Sequence, residues 1–124
     1  MEPQISKNQP LTPAVFHILL ALADSEKHGY RIMHAVKANS HGEFEIGPGT
    51  LYGTIKRMLA DDLIAESDER PDPELDDQRR RYYRLTDRGR QVLHADLVRM
   101  EELVRQAKSL RISPPTIAEV KLCA

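Results

Sequence analysis

The residues of this chain that are best suited to chemistry are cations and hydroxyl groups at helical spacing. Tyr52 and Lys56 are four residues apart, which places a phenol hydroxyl and an ammonium group on one face of a helix. Cations and hydroxyl donors fixed on rigid elements are what a nucleic-acid backbone requires. The alternative interpretation of a basic run is a solvated strand edge that resists aggregation. Taken alone, the pattern supports both interpretations equally, and only together with the order of helices and strands described below does it favour DNA binding. Further cations extend the pattern: Arg57, Arg79, Arg80 and Arg81.

The charge of the chain is unevenly distributed, although its 124 residues have a formal net charge of only −1. Counted by segment, the net charge is +3 over 27–60, −8 over 61–77 and +5 over 78–90. Two basic segments, which contain the candidate phosphate-binding residues, therefore flank an acidic one. Near-neutrality of the whole chain consequently does not exclude a polyanionic partner such as DNA.

Hydrophobic periodicity and capping residues predict four helices and one hairpin. Thr12 followed by Pro13 is typical of a helix start, because the hydroxyl caps the helix and proline lacks an N–H that would go unbonded there. Alternating apolar residues predict two strands, joined by an acidic connection that contains two prolines. The helices are expected over 13 to about 24, 28–39, from 49 or 50 onwards and over 87 to about 110, and the strands over 63–69 and 80–86.

The third helix is the candidate recognition helix. Its apolar spacing predicts an inner face of Leu51, Ile55, Met58 and Leu59. The outer face follows by subtraction and comprises Thr50, Tyr52, Gly53, Thr54, Lys56 and Arg57. Three helices followed by a hairpin are the order of a winged helix, in which the recognition helix and the wing lie on one side. The predicted fold is mainly α with a small β-hairpin, a winged helix-turn-helix followed by a long C-terminal helix.

Apolar residues along the last helix follow a heptad pattern, at Leu93, Leu97, Met100, Val104 and Ala107. A small winged-helix core leaves them little to cover, so we predict that this helix packs against the same helix of a second chain. Folding back onto its own domain is the alternative. The expected organisation is a flexible arm over 1–11, a winged-helix DNA-binding domain over 12–86, a dimerisation helix over 87–112 and a tail over 113–124.

Other functional classes leave no comparable pattern in the sequence. No nucleophile elbow, phosphate-binding loop or zinc-ligand motif occurs, so we expect neither an enzyme nor a cofactor. A single cysteine favours a reducing cytoplasm, and the longest apolar stretch, 14–23, is too short for the roughly 20 residues that span a bilayer. A winged helix that binds proteins and not DNA is the strongest alternative. A metal sensor, which we do not expect, would have to combine distant residues: His28, His34, His41 and Cys123.

Several motifs, in order along 11–90, resemble the PadR family of bacterial transcriptional regulators. They are 28–32 (HGYRI), 47–52 (GPGTLY), 55–59 (IKRML), 63–64 (LI) and 79–86 (RRRYYRLT) with Gly89. The resemblance, which is to the subgroup with a short C-terminal arm, implies a winged-helix homodimer that represses promoters. A ligand pocket, where the subgroup has one, lies between the two arms. The resemblance further implies that the DNA backbone is approached by Tyr30, Tyr52, Lys56, Arg79, Arg80 and Arg81.

Three features depart from the usual pattern of that family. Gly53 stands where the family has proline, which lowers helix propensity. Asp62 stands where the family has glycine, and aspartate tolerates a left-handed backbone less well than glycine does. The connection between the strands is acidic where the family tends towards glycine, which argues against close contact between the wing tip and DNA.

Overall fold

The computed structural model describes residues 10–67 and 81–111, and this part of the chain forms a winged helix followed by a long helix. The predicted fold class is thereby confirmed. Four helices pack with one small sheet, and the boundaries differ from the predicted ones by a few residues. The elements are α1 (Pro13–Ala21), β1 (Lys27–His28), α2 (Gly29–Asn39), α3 (Pro48–Ala60), β2 (Ile64–Ser67), β3 (Tyr82–Leu85) and α4 (Asp87–Ser109).

Side chains cap three of the four helices at their N-termini. The Thr12 hydroxyl accepts a hydrogen bond from the Val15 N–H at 3.3 Å, and Pro13 begins α1 as its sequence predicts. Nδ1 of His28 accepts from the Arg31 N–H at 3.3 Å at the start of α2. Thr86 caps α4 in the same way. Capping thus explains why these helices begin where they do.

Helix α1 ends at Ala21, three residues earlier than the sequence predicts, and Lys27 binds the carbonyl group of this last residue. Its ammonium group donates to the Ala21 carbonyl oxygen at 2.6 Å and lies 2.5 Å from a carboxylate oxygen of Asp24. A cation is favoured at this site because the carbonyls at a helix C-terminus carry partial negative charge. The same hydrogen bond from Lys27 lowers the pKa of Asp24. Lys27 belongs to a basic segment by sequence, but it is committed to closing α1.

The sheet has three antiparallel strands in the order β1–β3–β2. The predicted hairpin is β2 paired with β3, in a register that places Ile64 opposite Leu85. A two-residue strand, β1, adds to the other edge of β3 and was not predicted, because two residues are too few to show alternation. Tyr83 faces the core and is 4% exposed, whereas Tyr82 is half-buried on the opposite face.

The core is formed by all four helices and the sheet. Leu51, Ile55 and Met58 of α3 are buried in it, as the apolar spacing predicts. Thr54 is a correction, because it was assigned to the outer face but is only 2% exposed. Its hydroxyl donates to the Thr50 carbonyl oxygen one turn earlier at 2.7 Å. This bond satisfies the hydroxyl within its own helix and lets the methyl group pack inside.

The first third of α4 belongs to the same core. Val92 is 2% exposed and Leu93 is 6% exposed. Leu93 was predicted to lie in the dimerisation seam, and the structure corrects this, since its own chain covers it. The carboxylate of Asp96 is also buried, where it accepts hydrogen bonds from the Leu11 N–H and from the Arg99 guanidinium. Helix α4 is therefore part of the domain over its first three turns, rather than a separate element from residue 87 onwards.

A close backbone approach joins α4 to the entry of the wing. After α3 the chain reverses through Asp62, whose φ of 59° is left-handed. This is the position at which the sequence has aspartate where the PadR family has glycine. Gly89 packs directly against Leu63, the residue after Asp62: a Cβ atom on residue 89 would lie 1.9 Å from the Leu63 carbonyl oxygen. Since the obstructing atom belongs to the backbone, a side chain at residue 89 cannot be accommodated by a rotamer change.

Replacing Gly89 by alanine is therefore expected to destabilise the fold by about 1–3 kcal/mol, the usual cost of overpacking. Helix propensity alone would predict the opposite sign. Gly53→Ala is the matched control, since nothing lies within 4 Å of a Cβ atom there, and it is expected to stabilise by up to about 1 kcal/mol. Urea denaturation of the two variants measures both changes. Equal effects of the two substitutions would contradict the close approach.

Candidate nucleic-acid interface

The outer face of α3 presents a set of polar and cationic side chains to solvent. Thr50, Lys56 and Arg57 are exposed, and Tyr52 is 51% exposed although it is a large aromatic residue. The inner residues of the helix pack in the core, so α3 is clearly two-sided. Rigid attachment by one face is what allows a helix to present the opposite face to a duplex.

Tyr52 is positioned by the beginning of α2. A Cβ atom on Gly29 would lie 2.4 Å from the Tyr52 hydroxyl oxygen and 2.8 Å from the ring carbon that bears it. The phenol therefore lies directly over the first residue of α2, in space that only glycine leaves open. The sequence predicts Tyr52 as a site residue but gives no indication that Gly29 determines where its hydroxyl lies.

Aromatic contacts connect the start of α2 with the wing. Tyr30 is 61% exposed, and its ring lies 4.5 Å from that of His34. The buried His28 ring stacks against Tyr30 at 6.5 Å and meets the edge of Tyr82 at 5.3 Å. Through these contacts the exposed Tyr30 of α2 lies beside β3. His28 and Tyr82 thus position this site residue, a role that the sequence analysis missed.

Arg81 is the one arginine of the predicted run 79–81 that the structure describes. It is exposed, and its Nη1 atom lies 3.0 Å and 3.3 Å from the two carboxylate oxygens of Glu66 on the neighbouring strand. An exposed ion pair contributes about 0–1 kcal/mol, so a phosphate group can replace this carboxylate at little cost. Burial raises the pKa of the Tyr83 phenol on β3, and the negative charge of Glu66 on β2 raises it further. Arg79, Arg80 and the acidic connection over 70–77 lie outside the described residues.

Ion pairing divides the cations of the site into two groups. Lys37 pairs with Glu45 at 2.9 Å, and Arg81 pairs with Glu66. Within 10–67 and 81–111, no carboxylate lies within salt-bridge distance of Lys56 or Arg57. The positive charge on α3 is therefore available to an external anion.

Beyond the domain core, α4 exposes an apolar face. The predicted seam residues Leu97 and Met100 are each 36% exposed, Val104 is 48% exposed, and Ala107 is half-buried. An open groove of about 460 Å³ runs along this face. It is lined by Leu97, Met100, Glu101, Val104, Arg105 and Lys108.

Metal ligation and membrane insertion find no support in the described part of the chain. No three histidine, cysteine, aspartate or glutamate residues among 10–67 and 81–111 are grouped so as to hold a metal ion. Cys123 lies outside those ranges. None of the helices in the same ranges has the length and apolar character needed to cross a bilayer.

The profile of the Transcriptional regulator PadR-like family matches residues 18–95 of this chain. The chain belongs to this family. Transcriptional regulator Rv3488 of Mycobacterium tuberculosis is 40% identical to it over 90 residues, which are 73% of this chain and 78% of the relative. The PadR-like chain is accordingly a transcriptional regulator rather than an enzyme.

Solved structures of PadR regulators share the fold of this PadR-like chain. A PadR family transcription regulator from Clostridium difficile is 25% identical, with a TM-score of 0.62, over 80% of this chain and 98% of the other. PadR of Bacillus subtilis, solved in complex with operator DNA, is 24% identical with a TM-score of 0.59. That match covers 73% of this chain and 48% of the Bacillus protein, and it shows the common fold.

Gly29→Ala is expected to displace the Tyr52 hydroxyl while leaving the fold intact, because the obstructing atoms are the end of a side chain that can move. We expect DNA affinity to fall about three- to tenfold, as for the loss of a phosphate contact, with little change in melting temperature. Fluorescence anisotropy with labelled duplex measures the affinity. In a Tyr52→Phe background the same substitution should have a much smaller effect, and full additivity would contradict this mechanism.

Proposed function

We propose that this PadR-like regulator is a sequence-specific DNA-binding repressor that acts as a homodimer on a palindromic operator. The observation that carries the proposal is the outer face of α3, where Tyr52, Lys56 and Arg57 are exposed and the two cations have no carboxylate neighbour among the described residues. In the proposed complex α3 enters the major groove. Tyr52 and Lys56 contact phosphates, and Arg57 lies near base edges or backbone.

The neighbouring elements support this orientation. Tyr30 lies at the start of α2 and Arg81 immediately precedes β3, and the His28 ring contacts both Tyr30 and Tyr82, the residue after Arg81. Together with Thr50, Arg79 and Arg80 they complete the proposed DNA-binding set. The Bacillus subtilis protein was solved in complex with operator DNA, and the shared fold supports DNA as the partner proposed for this chain.

A homodimer through α4 is supported by the apolar face beyond the core. Leu97, Met100 and Val104 leave apolar surface exposed in the single chain, and a second copy of the same helix would cover them. A dimer with twofold symmetry presents two recognition helices to two half-sites, so the operator is expected to be a palindrome with half-sites about one helical turn apart. Binding over a promoter would make the protein a repressor.

The groove along α4 supports an effector site between the two arms. Its volume of about 460 Å³ lies within the range of small-molecule sites, and a second arm would enclose it. We propose that an effector bound there alters the separation of the two winged helices. The protein would act in the cytoplasm, where bacterial promoters are found.

Removing Lys56 should reduce the salt dependence of binding. For the wild type, log K is expected to fall with log salt at a slope of roughly −4 to −8, and Lys56→Ala should make it shallower by about 2 per dimer, one phosphate contact per subunit. Arg81→Ala should act in the same direction. Mobility shift or anisotropy measurements over a salt series give the slopes.

Lys37→Ala is the matched control for that series, because Lys37 lies in the last turn of α2, outside the proposed DNA-binding set. It removes the same formal charge and should leave the slope almost unchanged. A flat salt response of the wild-type protein would contradict the DNA proposal and favour a protein-binding winged helix instead.

Leu97→Glu should convert the homodimer into a monomer, since it places a charge on the apolar face of α4. We expect self-association to weaken about 30-fold or more, the effect of losing a central interface residue. Sedimentation velocity at micromolar concentration measures this, with Gln91→Glu at an exposed site of the same helix as the control. A wild-type chain that sediments as a monomer would exclude the proposed dimer.

A further inference from the structure

Three successive carbonyl groups immediately after α3 accept hydrogen bonds from the first turn of α4 and from the residue that caps it. Nε of Arg88 donates to the Asp61 carbonyl oxygen at 2.9 Å. The Thr86 hydroxyl donates to the Asp62 carbonyl oxygen at 2.6 Å, and the Thr86 N–H donates to that of Leu63 at 3.2 Å. We call this set, Asp61–Leu63 with Thr86–Gly89, the α3–α4 joint.

The chemistry of the joint makes it resistant to rotation. The carbonyls at a helix C-terminus carry partial negative charge, and the Arg88 guanidinium supplies the opposite charge. The Thr86 hydroxyl acts twice, because it also accepts from the Gly89 N–H at 2.9 Å and so caps α4. Gly89 closes the remaining space against Leu63. Loss of any one bond leaves the others, but each constrains a different carbonyl.

We infer that Thr86, Arg88 and Gly89 are positioning residues that set the angle between α3 and α4. The element that reads DNA is thereby fixed to the element proposed to hold the dimer together. This consequence rests on the proposed function: the joint determines the separation and orientation at which two recognition helices reach their half-sites. The remaining contacts of α4 with its own domain are mainly to α1 and β3, so they do not fix α3 directly.

Distance measurements between spin labels test the joint without DNA. Labels at Thr50→Cys on α3 and Gln106→Cys on α4, in a Cys123→Ser background and diluted with unlabelled chain, report the angle between the helices. The parent protein should give one narrow distribution. Thr86→Val and Arg88→Leu should broaden or shift this distribution. Thr86→Ser, which keeps the hydroxyl group, should retain the narrow distribution of the parent protein.

Arg90→Leu is the matched control, because it removes the same charge from an exposed site in the same turn. It should retain the narrow distribution. Circular dichroism confirms that each variant is folded, and Arg88→Met, which also has neither charge nor donor, replaces Arg88→Leu if the latter does not fold. Distributions of unchanged width and position in both Thr86→Val and the Arg88 variant would overturn the inference.

Operator spacing provides a second readout that a merely structural role would not change. The probe is a duplex selected by the wild type from a random pool, compared with the same duplex carrying one extra base pair between half-sites, a rotation of about 35°. Wild-type affinity should fall roughly tenfold or more, and that of the joint variants about threefold or less. Equal losses would overturn the inference. Failure of the wild type to select any duplex would contradict the proposed function, while the label distances would still decide the joint.

Discussion

The contact between Gly89 and the Leu63 carbonyl oxygen is the constraint on which the other parts of this structure depend. Since residue 89 has no side chain, the backbone of α4 can begin directly against the segment that connects α3 to the wing. The first turns of α4 then bring Val92 and Leu93 into the core. A helix displaced outwards by one methyl group would withdraw both side chains. The same contact thus places the wing, the end of α3 and the beginning of the arm.

Ion pairs and hydrogen bonds within the chain determine which cations are left to bind a polyanion. The segment 27–60 carries a net charge of +3, which suggests a uniformly basic surface. Lys27, however, closes α1, and Lys37 pairs with Glu45. Among the described residues, no carboxylate lies within salt-bridge distance of the three other cations of that segment, which are Arg31 on α2 and Lys56 and Arg57 on α3. A phosphate group would therefore meet a few specific cations and not a uniformly basic surface.

The helices and the hairpin could be predicted because their signals are local. Thr12 with Pro13 marks the start of α1, and the spacing of Leu51, Ile55 and Met58 gives the buried face of α3. Thr54 could not be assigned correctly by subtraction, since its hydroxyl is satisfied inside the helix by a backbone carbonyl. Likewise β1 has only two residues and exists through its pairing with β3.

The contacts that position the site could not be predicted from the sequence, because they join residues that are distant along the chain. Gly29 and Tyr52 are far apart in sequence, and nothing in their local patterns indicates that one glycine leaves room for a distant phenol. The pairing of Arg81 with Glu66 likewise depends on the register of β2 and β3. The heptad pattern was real, but periodicity does not say which chain covers each position: Leu93 is covered by its own domain, and Leu97 is not. The apolar stripe of α4 therefore leads from the domain core, past the buried carboxylate of Asp96, to the proposed dimer interface, so that a second copy would extend the core. In such an arrangement subunit association stabilises the winged helix itself, and the stability of the domain becomes dependent on protein concentration.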